Sequence, residues 1–294
     1  MIDWSDVIMS DVIETIGRSK IQHGRHNDRL YLMKLSKQDL PGIVERLERL
    51  ARVRNYSKVF AKVPESAKDH FTQQGYAPEA EIPNFYQGRE DVIFFGKYLA
   101  GDRRREKKAE LIQKVLTTAK GKARTGKVLL LKESLCARPA EKRDATAMAK
   151  VYSQVFSTYP FPIQDPEYLK ETMDQNVAYF GIWDGESLVA LSSAEMDLSG
   201  QNAEMTDFAT LPEYRGQSLA NFLLTRMEDY LGDKGIRTAY TIARAYSFGM
   251  NVTFAKLGYS YSGTLTNNTN IFGGLESMNV WHKALRLKES PAVC

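Results

Sequence analysis

The chain contains little cysteine and no long apolar segment. Cys136 and Cys294 are the only cysteines among 294 residues, so a disulfide framework is not supported and a reducing cytoplasm is the expected location. No apolar run approaches the roughly 20 residues that a bilayer-spanning helix needs. Residues 1–6 lack the basic start and the apolar block of a signal peptide. We therefore expect a cytoplasmic protein that has no membrane partner.

Strong net charge and metal-ligand clusters are also missing. The formal net charge of +4 is small for this length and does not by itself argue for a nucleic-acid partner. Hydrophobic residues make up 43% of the chain, which is enough for a large core, and the length favours two domains. We expect no metal, because none of the four histidines has ligand spacing to cysteine or acidic residues; they are His23, His26, His70 and His282.

Residues 1–100 have the pattern of a small α/β domain. Residues 11–35 are rich in β-branched and alternating residues, which predicts strands. Apolar residues at helical spacing predict a helix over 39–54. The remaining predicted elements are a strand over 56–63, a helix over 64–75, and strands over 79–85 and 91–99.

Residues 101–127 differ in character from both flanking regions. They contain ten lysines or arginines against three acidic residues, and 107–119 has helical spacing. One interpretation is a basic arm that grips nucleic acid. We favour a solvated helical linker, because few aromatic side chains are present to stack on bases, and nucleic acid is not an expected partner. Residues 120–126 fit a domain boundary.

The most informative stretch lies at 204–231. A short apolar run at 204–210 is followed by the turn Leu211-Pro-Glu-Tyr-Arg-Gly-Gln-Ser-Leu-Ala220 and then by a helix with one apolar side. Such a turn exposes unpaired backbone N–H groups at the positive end of a helix. The sequence therefore predicts an anion site that suits a phosphate or a pyrophosphate.

Residues 215–220, Arg-Gly-Gln-Ser-Leu-Ala, resemble the acyl-CoA-binding loop of the GCN5-related N-acetyltransferases (GNAT), written Gln/Arg-x-x-Gly-x-Gly/Ala. Arg215 and Ala220 match the pattern, and Ser218 stands where a glycine is usual. The elements predicted over 128–287 follow the order of that fold, and residues 288–294 form a tail. The resemblance implies an α+β fold, an α/β/α sandwich with a mixed, mostly antiparallel sheet, and acetyl-CoA as co-substrate.

The predicted elements of this second domain comprise seven strands and four helices. The strands are 129–137, 177–183, 187–196, 204–210, 237–245, 260–269 and 277–285, and the helices are 144–156, 166–174, 219–231 and 247–257.

One short pattern occurs in both domains. Residues 71–76 and 254–259 both have the form Phe-x-x-x-Gly-Tyr, and each ends a helix that follows a strand. In each domain a later apolar strand ends in a lysine, at Lys97 and at Lys283. Two interpretations remain open. The first is that the pattern recurs by chance, because glycine commonly ends a helix. The second is that residues 1–100 are a degenerate GNAT-like half without the anion-binding turn.

Further segments resemble the β-lysine N-acetyltransferase family in particular. The resemblance implies direct transfer of acetyl from acetyl-CoA to the ε-amine of L-β-lysine in a ternary complex, with the product serving as a compatible solute. Two other functions remain open, a catalytically inactive acyl-CoA sensor and an acetyltransferase for protein lysines or polyamines. A homodimer is a further expectation. The segments span both domains, at 21–24 with 27–34, at 206–216, at 249–259, and at 263–271 with 276–281.

The chemistry requires a base, because an ammonium with a pKa of about 10.4 must lose a proton before it attacks a thioester. The resemblance places a carboxylate on the fourth strand, where Glu204 and Asp207 are the candidates. They are three residues apart and face opposite sides of a regular strand, so only one reaches the cleft unless a bulge intervenes. The usual acid, a tyrosine, is replaced by Phe254. Tyr246, Tyr259 or solvent must then protonate the thiolate, or it leaves unassisted, which its pKa near 8.5 permits.

The resemblance also implies which residues bind the coenzyme. The strand backbone at Phe208, Ala209 and Thr210 would pair with the pantetheine arm and donate an N–H to the oxyanion. The turn and the later helix supply the remaining residues, which are Arg215, Gly216, Gln217, Ser218, Leu219, Ala220, Asn221, Ser247, Asn251 and Phe254.

The acceptor pocket is predicted from two loops and one arginine. Tyr159 and Phe161 lie where the superfamily forms one wall of this pocket, and Asn267 and Asn268 lie near the opposite wall. The carboxylate of an amino acid favours an arginine, and Arg244 at a strand end is the candidate. The alternative for Arg244 is a salt-bridged surface residue.

Overall fold

The structure, a computed structural model, describes residues 11–123, 130–157, 159 and 161–287. Within these residues thirteen strands form one continuous sheet. Their bounds are β1 Val12–Ile16, β2 Ser19–Gly24, β3 Arg29–Lys34, β4 Lys58–Pro64, β5 Ala77–Tyr86, β6 Glu90–Tyr98, β7 Leu135–Pro139, β8 Val177–Asp184, β9 Ser187–Asp197, β10 Asn202–Thr210, β11 Thr238–Arg244, β12 Ser260–Ile271 and β13 Gly274–Ala284.

Helices pack on both faces of this sheet. Local chemistry sets where some of them begin. One starts with Pro166 after Asp165, whose side chain accepts the N–H of Glu167, and another starts after Ser247, whose side chain accepts the N–H of Met250. The helices are α1 Ile43–Val53, α2 Lys68–Thr72, α3 Ala109–Gly121, α4 Ala145–Val155, α5 Pro166–Asp174, α6 Leu219–Asp233 and α7 Phe248–Lys256.

The second half of the chain has the predicted succession of elements. Its strands lie in the order β7-β8-β9-β10-β11-β13-β12, and neighbours are antiparallel except for β10 and β11. Phe180 and Ile182 of β8 pack in the cluster with α6 and α7, whereas Tyr179 packs in the cluster with α4 and α5. The prediction of an α+β sandwich with a mixed, mostly antiparallel sheet is confirmed.

The first half of the chain repeats this order without its first strand. Strands β1-β2-β3-β4-β6-β5 have the same neighbours and directions as β8-β9-β10-β11-β13-β12, including one parallel pair, β3 with β4. Helix α1 connects that parallel pair as α6 connects β10 to β11, and α2 follows β4 as α7 follows β11. This topology supports the proposal that residues 1–100 are a degenerate GNAT-like half.

The Phe-x-x-x-Gly-Tyr pattern makes the same contacts in both halves. The rings of Phe71 and Tyr76 meet edge to face at 5.2 Å, and those of Phe254 and Tyr259 meet at 5.0 Å. Each tyrosine ring lies under a lysine of the last strand of its half. Each lysine also pairs with a glutamate of a helix, Lys97 with Glu48 at 2.5 Å and Lys283 with Glu228 at 2.6 Å.

The two halves share the sheet through β5 and β12, which pair at Ala80 and Gly263. Gly263 has φ +152°, and a Cβ atom there would lie 2.1 Å from the backbone oxygen of Glu79. Glycine therefore permits the close approach of the two strands. One apolar cluster crosses the junction and includes Phe60, Ile82, Phe94, Tyr240, Leu265 and Val280.

Helix α3 lies within the predicted linker. Its apolar side is buried, and Ile112, Leu116 and Ala119 pack in the core of the second half, where α3 contacts α7. Its lysines, Lys114 and Lys120, remain exposed. The expectation of a solvated linker is wrong for this helix, because its apolar residues recur at helical spacing and form a buried stripe.

A few predicted segments differ from the structure or lie outside its described part. The strand predicted over 129–137 is present only at Leu135–Pro139, after a turn in which the N–H of Leu135 donates to the carbonyl oxygen of Lys132 at 2.9 Å. Residues 124–129 and the tail at 288–294 lie outside the described residues. In the described part of the chain no helix has both the length and the apolar character needed to cross a membrane.

Candidate active site

The site forms where β10 and β11 separate. The parallel ladder between these strands ends at the pair Glu204 and Tyr240. Farther along β10, the pairing with β9 shifts register between Thr206 and Ala209. Such a bulge bends the strand and changes the direction of its side chains.

Asp207 occupies the bulge, with φ +55°. This left-handed conformation is uncommon for a residue other than glycine. The carboxylate of Asp207 accepts a hydrogen bond from the Ser193 hydroxyl at 2.5 Å and another from the Tyr159 hydroxyl. In a regular strand Glu204 and Asp207 would face opposite sides, but the bulge brings both to one cavity.

In the described part of the chain four carboxylates line this cavity, those of Glu195, Asp197, Glu204 and Asp207; Asp197 is already paired with Lys34 at 3.3 Å. Glu195 lies directly opposite Glu204 on the neighbouring strand β9, and like charges in such positions repel. Burial raises the pKa of Glu204 and of Asp207. Burial, together with the charges of Glu204 and Asp207, raises the pKa of Glu195 to about 8. The cluster therefore suits a ligand that carries ammonium groups.

The first half of the chain supplies the opposite wall of the cavity. Lys62 on β4 donates to the Tyr240 hydroxyl at 3.2 Å, and burial lowers the pKa of this lysine. Arg29 on β3 is also buried, and its Nη1 donates to the backbone oxygen of Asn268 at 2.5 Å. The cavity thus has an acidic wall from the second half and a basic wall from the first.

These walls enclose a cavity of about 790 Å³, which lies within the usual size range of small-molecule sites. Another cavity, of about 470 Å³, is lined by Lys142 and Lys234 and does not include the bulge. Aromatic side chains line much of the larger cavity, among them Tyr31, Phe60, Phe85, Phe156, Phe161 and Tyr168.

The turn before α6 leaves its backbone N–H groups available. Gly216 has φ +79° and Ser218 has φ +60°, so two left-handed residues turn the chain into the helix. From Gly216 to Asn221 no backbone N–H donates to an acceptor within the described residues. The Nε of Arg215 donates to the carbonyl oxygen of Thr210 at 3.3 Å and so ties the turn to the end of β10. This geometry is that of an anion site at a helix N-terminus.

Phe208 and Phe254 line the cavity beside the separated strands. Their rings meet edge to face with centroids 5.7 Å apart. Phe254 and Ala209 are almost fully buried, so the position of the usual tyrosine acid is part of the core.

Several residues predicted to bind the coenzyme use their side chains to hold the fold. The Oδ1 of Asn251 accepts from Asn279 and from Trp281, both at 2.8 Å. The side chain of Asn221 donates to the backbone oxygen of Thr253 at 3.4 Å. Ser247 caps α7, Leu219 is buried in the core, and Gln217 and Ala220 are half-buried beside the turn.

Tyr246, the predicted acid, does not line the cavity among the described residues. Its hydroxyl donates to the carboxylate of Glu106 at 2.8 Å. Burial and this hydrogen bond raise the pKa of Tyr246, so it holds its proton tightly. Tyr259 is buried in the core, and burial raises its pKa well above the ordinary value. The source of the proton for the thiolate stays a prediction.

The residues predicted for the acceptor pocket divide into two groups. Tyr159, Phe161, Asn268 and Arg244 line the cavity. Asn267 does not, and its side-chain amide donates instead to the backbone oxygen of Arg103 at 2.9 Å. The guanidinium of Arg244 already forms a bidentate ion pair with Glu276, through Nε at 2.9 Å and Nη2 at 2.8 Å. These two donors are therefore not available to the carboxylate of a substrate.

Glu195, Arg29 and Lys62 line the cavity but are not among the residues predicted from the sequence. Glu195 could have been found from the pairing of β9 with β10, which sets it opposite Glu204. No local pattern shows that β3 and β4 face the second half, so Arg29 and Lys62 could not be assigned to the site. Among the described residues no group of three or more histidine, cysteine or acidic side chains is placed to hold a metal ion.

Comparison with known proteins agrees with this geometry. Residues 146–259 match the Acetyltransferase (GNAT) family. The chain is 42% identical over 275 residues to the β-lysine N(6)-acetyltransferase of Methanococcus maripaludis, covering 94% of this chain and 99% of that protein. It is 34% identical to the β-lysine N(6)-acetyltransferase of Methanosarcina mazei, covering 81% of this chain and 95% of that protein. It is 32% identical to the N-acetyltransferase YodP of Bacillus subtilis, covering 90% of this chain and 95% of that protein.

The family match falls in the second half of the chain, which also contains the separated strands and the turn with available N–H groups. The relatives extend the similarity over most of both halves. The protein belongs to the GNAT family of acetyltransferases.

Proposed function

We propose that the protein transfers the acetyl group of acetyl-CoA to N6 of L-β-lysine while both substrates are bound. The observation that carries this proposal is the cavity between the halves, in which the carboxylates of Glu195, Glu204 and Asp207 face the basic wall. β-Lysine has two ammonium groups and one carboxylate, so its charges complement both walls. The two relatives named β-lysine N(6)-acetyltransferase support this choice of acceptor.

The turn at 216–221 would bind the pyrophosphate of the coenzyme through its available N–H groups. The pantetheine arm would then pair with the open edge of β10 beyond Glu204, as an added strand does. This path leads the thioester to the bulge at Asp207, beside the acceptor cavity.

Asp207 would act as the general base, and Glu195 with Glu204 would hold the second ammonium group. The carboxylate takes a proton from the N6 ammonium, directly or through water, and the free amine attacks the thioester carbon. A backbone N–H near Phe208 donates to the oxyanion. The C–S bond then breaks, the amide nitrogen gives its second proton to solvent, and the thiolate, with a pKa near 8.5, leaves and takes a proton from solvent or a tyrosine.

The test is thiol release from acetyl-CoA with β-lysine, α-lysine, spermidine and a lysine-containing peptide offered separately. We expect kcat/KM for β-lysine to exceed that for α-lysine by on the order of 10–100-fold, because the spacing between its charges differs by one methylene. Absence of turnover with every amine would contradict the enzyme function and favour an acyl-CoA sensor. Turnover with the peptide or with spermidine alone would contradict an amino-acid acceptor.

A cytoplasmic location, a homodimer and the use of the product as a compatible solute stay predictions from the sequence.

A further inference from the structure

Arg29 is a buried guanidinium that has no carboxylate within salt-bridge distance in the part of the chain that the structure describes. It is 6% exposed and lines the cavity from β3. Its Nη1 donates to the backbone oxygen of Asn268 at 2.5 Å and to the hydroxyl oxygen of Thr269 at 3.3 Å. Its Nε, also buried, has no acceptor among the described residues.

A charge in this position is costly to bury. Burial lowers the pKa of Arg29 to about 10, so the side chain still carries its charge at neutral pH. Buried charges in proteins are normally paired with an opposite charge. Because the guanidinium of Arg29 has a buried N–H donor without an acceptor among the described residues, it is suited to bind an anionic group of a ligand.

A second unpartnered donor lies on the same wall. Gln22 on β2 is 2% exposed, and its Nε2 donates to no acceptor among the described residues. Gln22 pairs with Tyr31 across the strands, and it lines the cavity together with Tyr31 and Arg29. A carboxylate accepts two hydrogen bonds from a guanidinium and has further lone pairs for an amide N–H.

Several other cations near the junction already have partners. Burial lowers the pKa of Lys62, and the negative charges of Glu204 and Glu195 partly offset this effect by raising it. Three more cations have carboxylate partners, Lys58 with Glu79 at 2.7 Å, Arg103 with Asp28 at 3.3 Å and Arg244 with Glu276 at 2.8 Å. Arg29 is therefore the better candidate for an incoming carboxylate.

We propose that Arg29, assisted by Gln22, binds the carboxylate of the amino-acid acceptor, so that the first half of the chain selects amino acids over plain diamines. The inference rests on the proposed acetyl transfer to β-lysine. It gives the first half a specific role, because this half then contacts the end of the acceptor opposite the reacting amine.

The electrostatics of the cavity fit this orientation. Burial raises the pKa of Glu204, Lys62 and a hydrogen bond with Tyr240 lower it, and the weaker effects of Asp207 and Arg29 raise and lower it respectively; all of these residues line the same cavity. An extended β-lysine with its second ammonium near Glu204 would then direct N6 toward Asp207 and its carboxylate toward Arg29.

The test compares β-lysine with β-lysinamide, in which a neutral amide replaces the carboxylate. We expect kcat/KM of the wild-type enzyme to be on the order of 100-fold higher for β-lysine, because charge-assisted hydrogen bonds to the carboxylate are lost with the amide. Arg29→Gln should lower kcat/KM for β-lysine by on the order of 100-fold, mainly through KM, and should change the value for β-lysinamide by less than about threefold. The control is Arg49→Gln, an exposed position on α1, which should behave as wild type.

Equal use of the two substrates by wild type, or an equal loss with both substrates in Arg29→Gln, would overturn the inference and leave the proposed function standing. Absence of turnover of β-lysine by wild type would overturn the proposed function and the inference with it. If Arg29→Gln does not fold, the comparison of β-lysine with β-lysinamide as substrates of the wild-type enzyme still tests the inference. Gln22→Leu, which leaves Arg29 in place, should then reduce the preference for β-lysine by about tenfold.

Discussion

Glu204 of β10 lies beside Tyr240 of β11, and this pair is the last of the parallel ladder between the two strands. Beyond it β10 bulges at Asp207, and its edge toward β11 is open. The end of the ladder therefore has two consequences. The bulge brings Asp207 to the same cavity as Glu204, and the open edge leaves backbone groups available to pair with a coenzyme.

Asp207→Asn tests the proposed base. Asparagine keeps the size of the side chain, but its single oxygen can accept only one of the bonds from Tyr159 and Ser193, and it cannot accept a proton. We expect kcat to fall by on the order of 10²–10³-fold while KM for acetyl-CoA changes little. Because burial raises the pKa of Asp207, the wild-type rate should fall as the pH falls through that raised pKa. The variant should lack this acidic limb of the pH profile.

The matched variant for that measurement is Glu204→Gln. If Glu204 binds the second ammonium group, its loss should raise KM for β-lysine more than it lowers kcat. A larger fall of kcat in Glu204→Gln than in Asp207→Asn would assign the base to Glu204 instead.

Ser218→Val tests the coenzyme turn. Ser218 has φ +60°, which glycine adopts readily and a β-branched residue does not. We expect Ser218→Val to raise KM for acetyl-CoA by on the order of tenfold, with KM for β-lysine unchanged, and Ser218→Gly to keep both values. Calorimetric binding of coenzyme A provides an independent check. Equal effects on both substrates would argue against coenzyme binding at this turn.

Tyr246→Phe tests whether this tyrosine protonates the leaving thiolate. The hydroxyl is held by Glu106, and burial with this bond raises its pKa, which makes it a weak acid toward a thiolate. We expect kcat to change by less than about threefold, because a thiolate with a pKa near 8.5 leaves without an acid. A fall of kcat by more than about 30-fold, a range typical of general acid catalysis, would establish Tyr246 as the acid.

Much of the second half could be predicted because local chemistry and tertiary structure agree there. The helix predicted at 166–174 has those bounds in the structure, since Asp165 and Pro166 define its start whatever its surroundings. The strand predicted over 129–137 begins later in the structure, because an apolar run alone does not make a strand. Leu130 is 87% exposed, and the strand begins only at Leu135, where pairing with β8 starts.

Two features of the site could not be obtained from the sequence. No sequence signal predicts the left-handed backbone at Asp207, because most aspartates have a negative φ. Arg29 belongs to a strand of the first half, and the contacts between the halves, among them the pairing of β5 with β12, bring that strand to the cavity that holds the carboxylates of the second half. Both features depend on contacts between residues far apart in the chain.

Glu195 gives a test through stability. Its pKa in the folded protein is raised to about 8, mainly by burial, against about 4.3 in an unfolded chain. Between these values the folded state holds a proton that the unfolded state has lost, so the free energy of unfolding decreases as the pH rises through this window. Glu195→Gln removes the titration. We expect its Tm to exceed that of wild type by about 2–4 °C at pH 9 and the difference to shrink toward pH 5.

Differential scanning calorimetry over this pH range provides the measurement. Glu186→Gln, in the exposed turn before β9, is the control and should follow wild type at every pH. A Tm of Glu195→Gln below that of wild type at pH 9 would show that the carboxylate is stabilising and would contradict its position among like charges.

The most direct measurement is a crystal structure with coenzyme A and N6-acetyl-β-lysine bound together. We expect the pyrophosphate on the backbone N–H groups of 216–221, the new amide beside Asp207, and the product in the cavity between the two halves with its carboxylate toward Arg29. A pyrophosphate bound elsewhere, or a product outside that cavity, would contradict the assignment of this site.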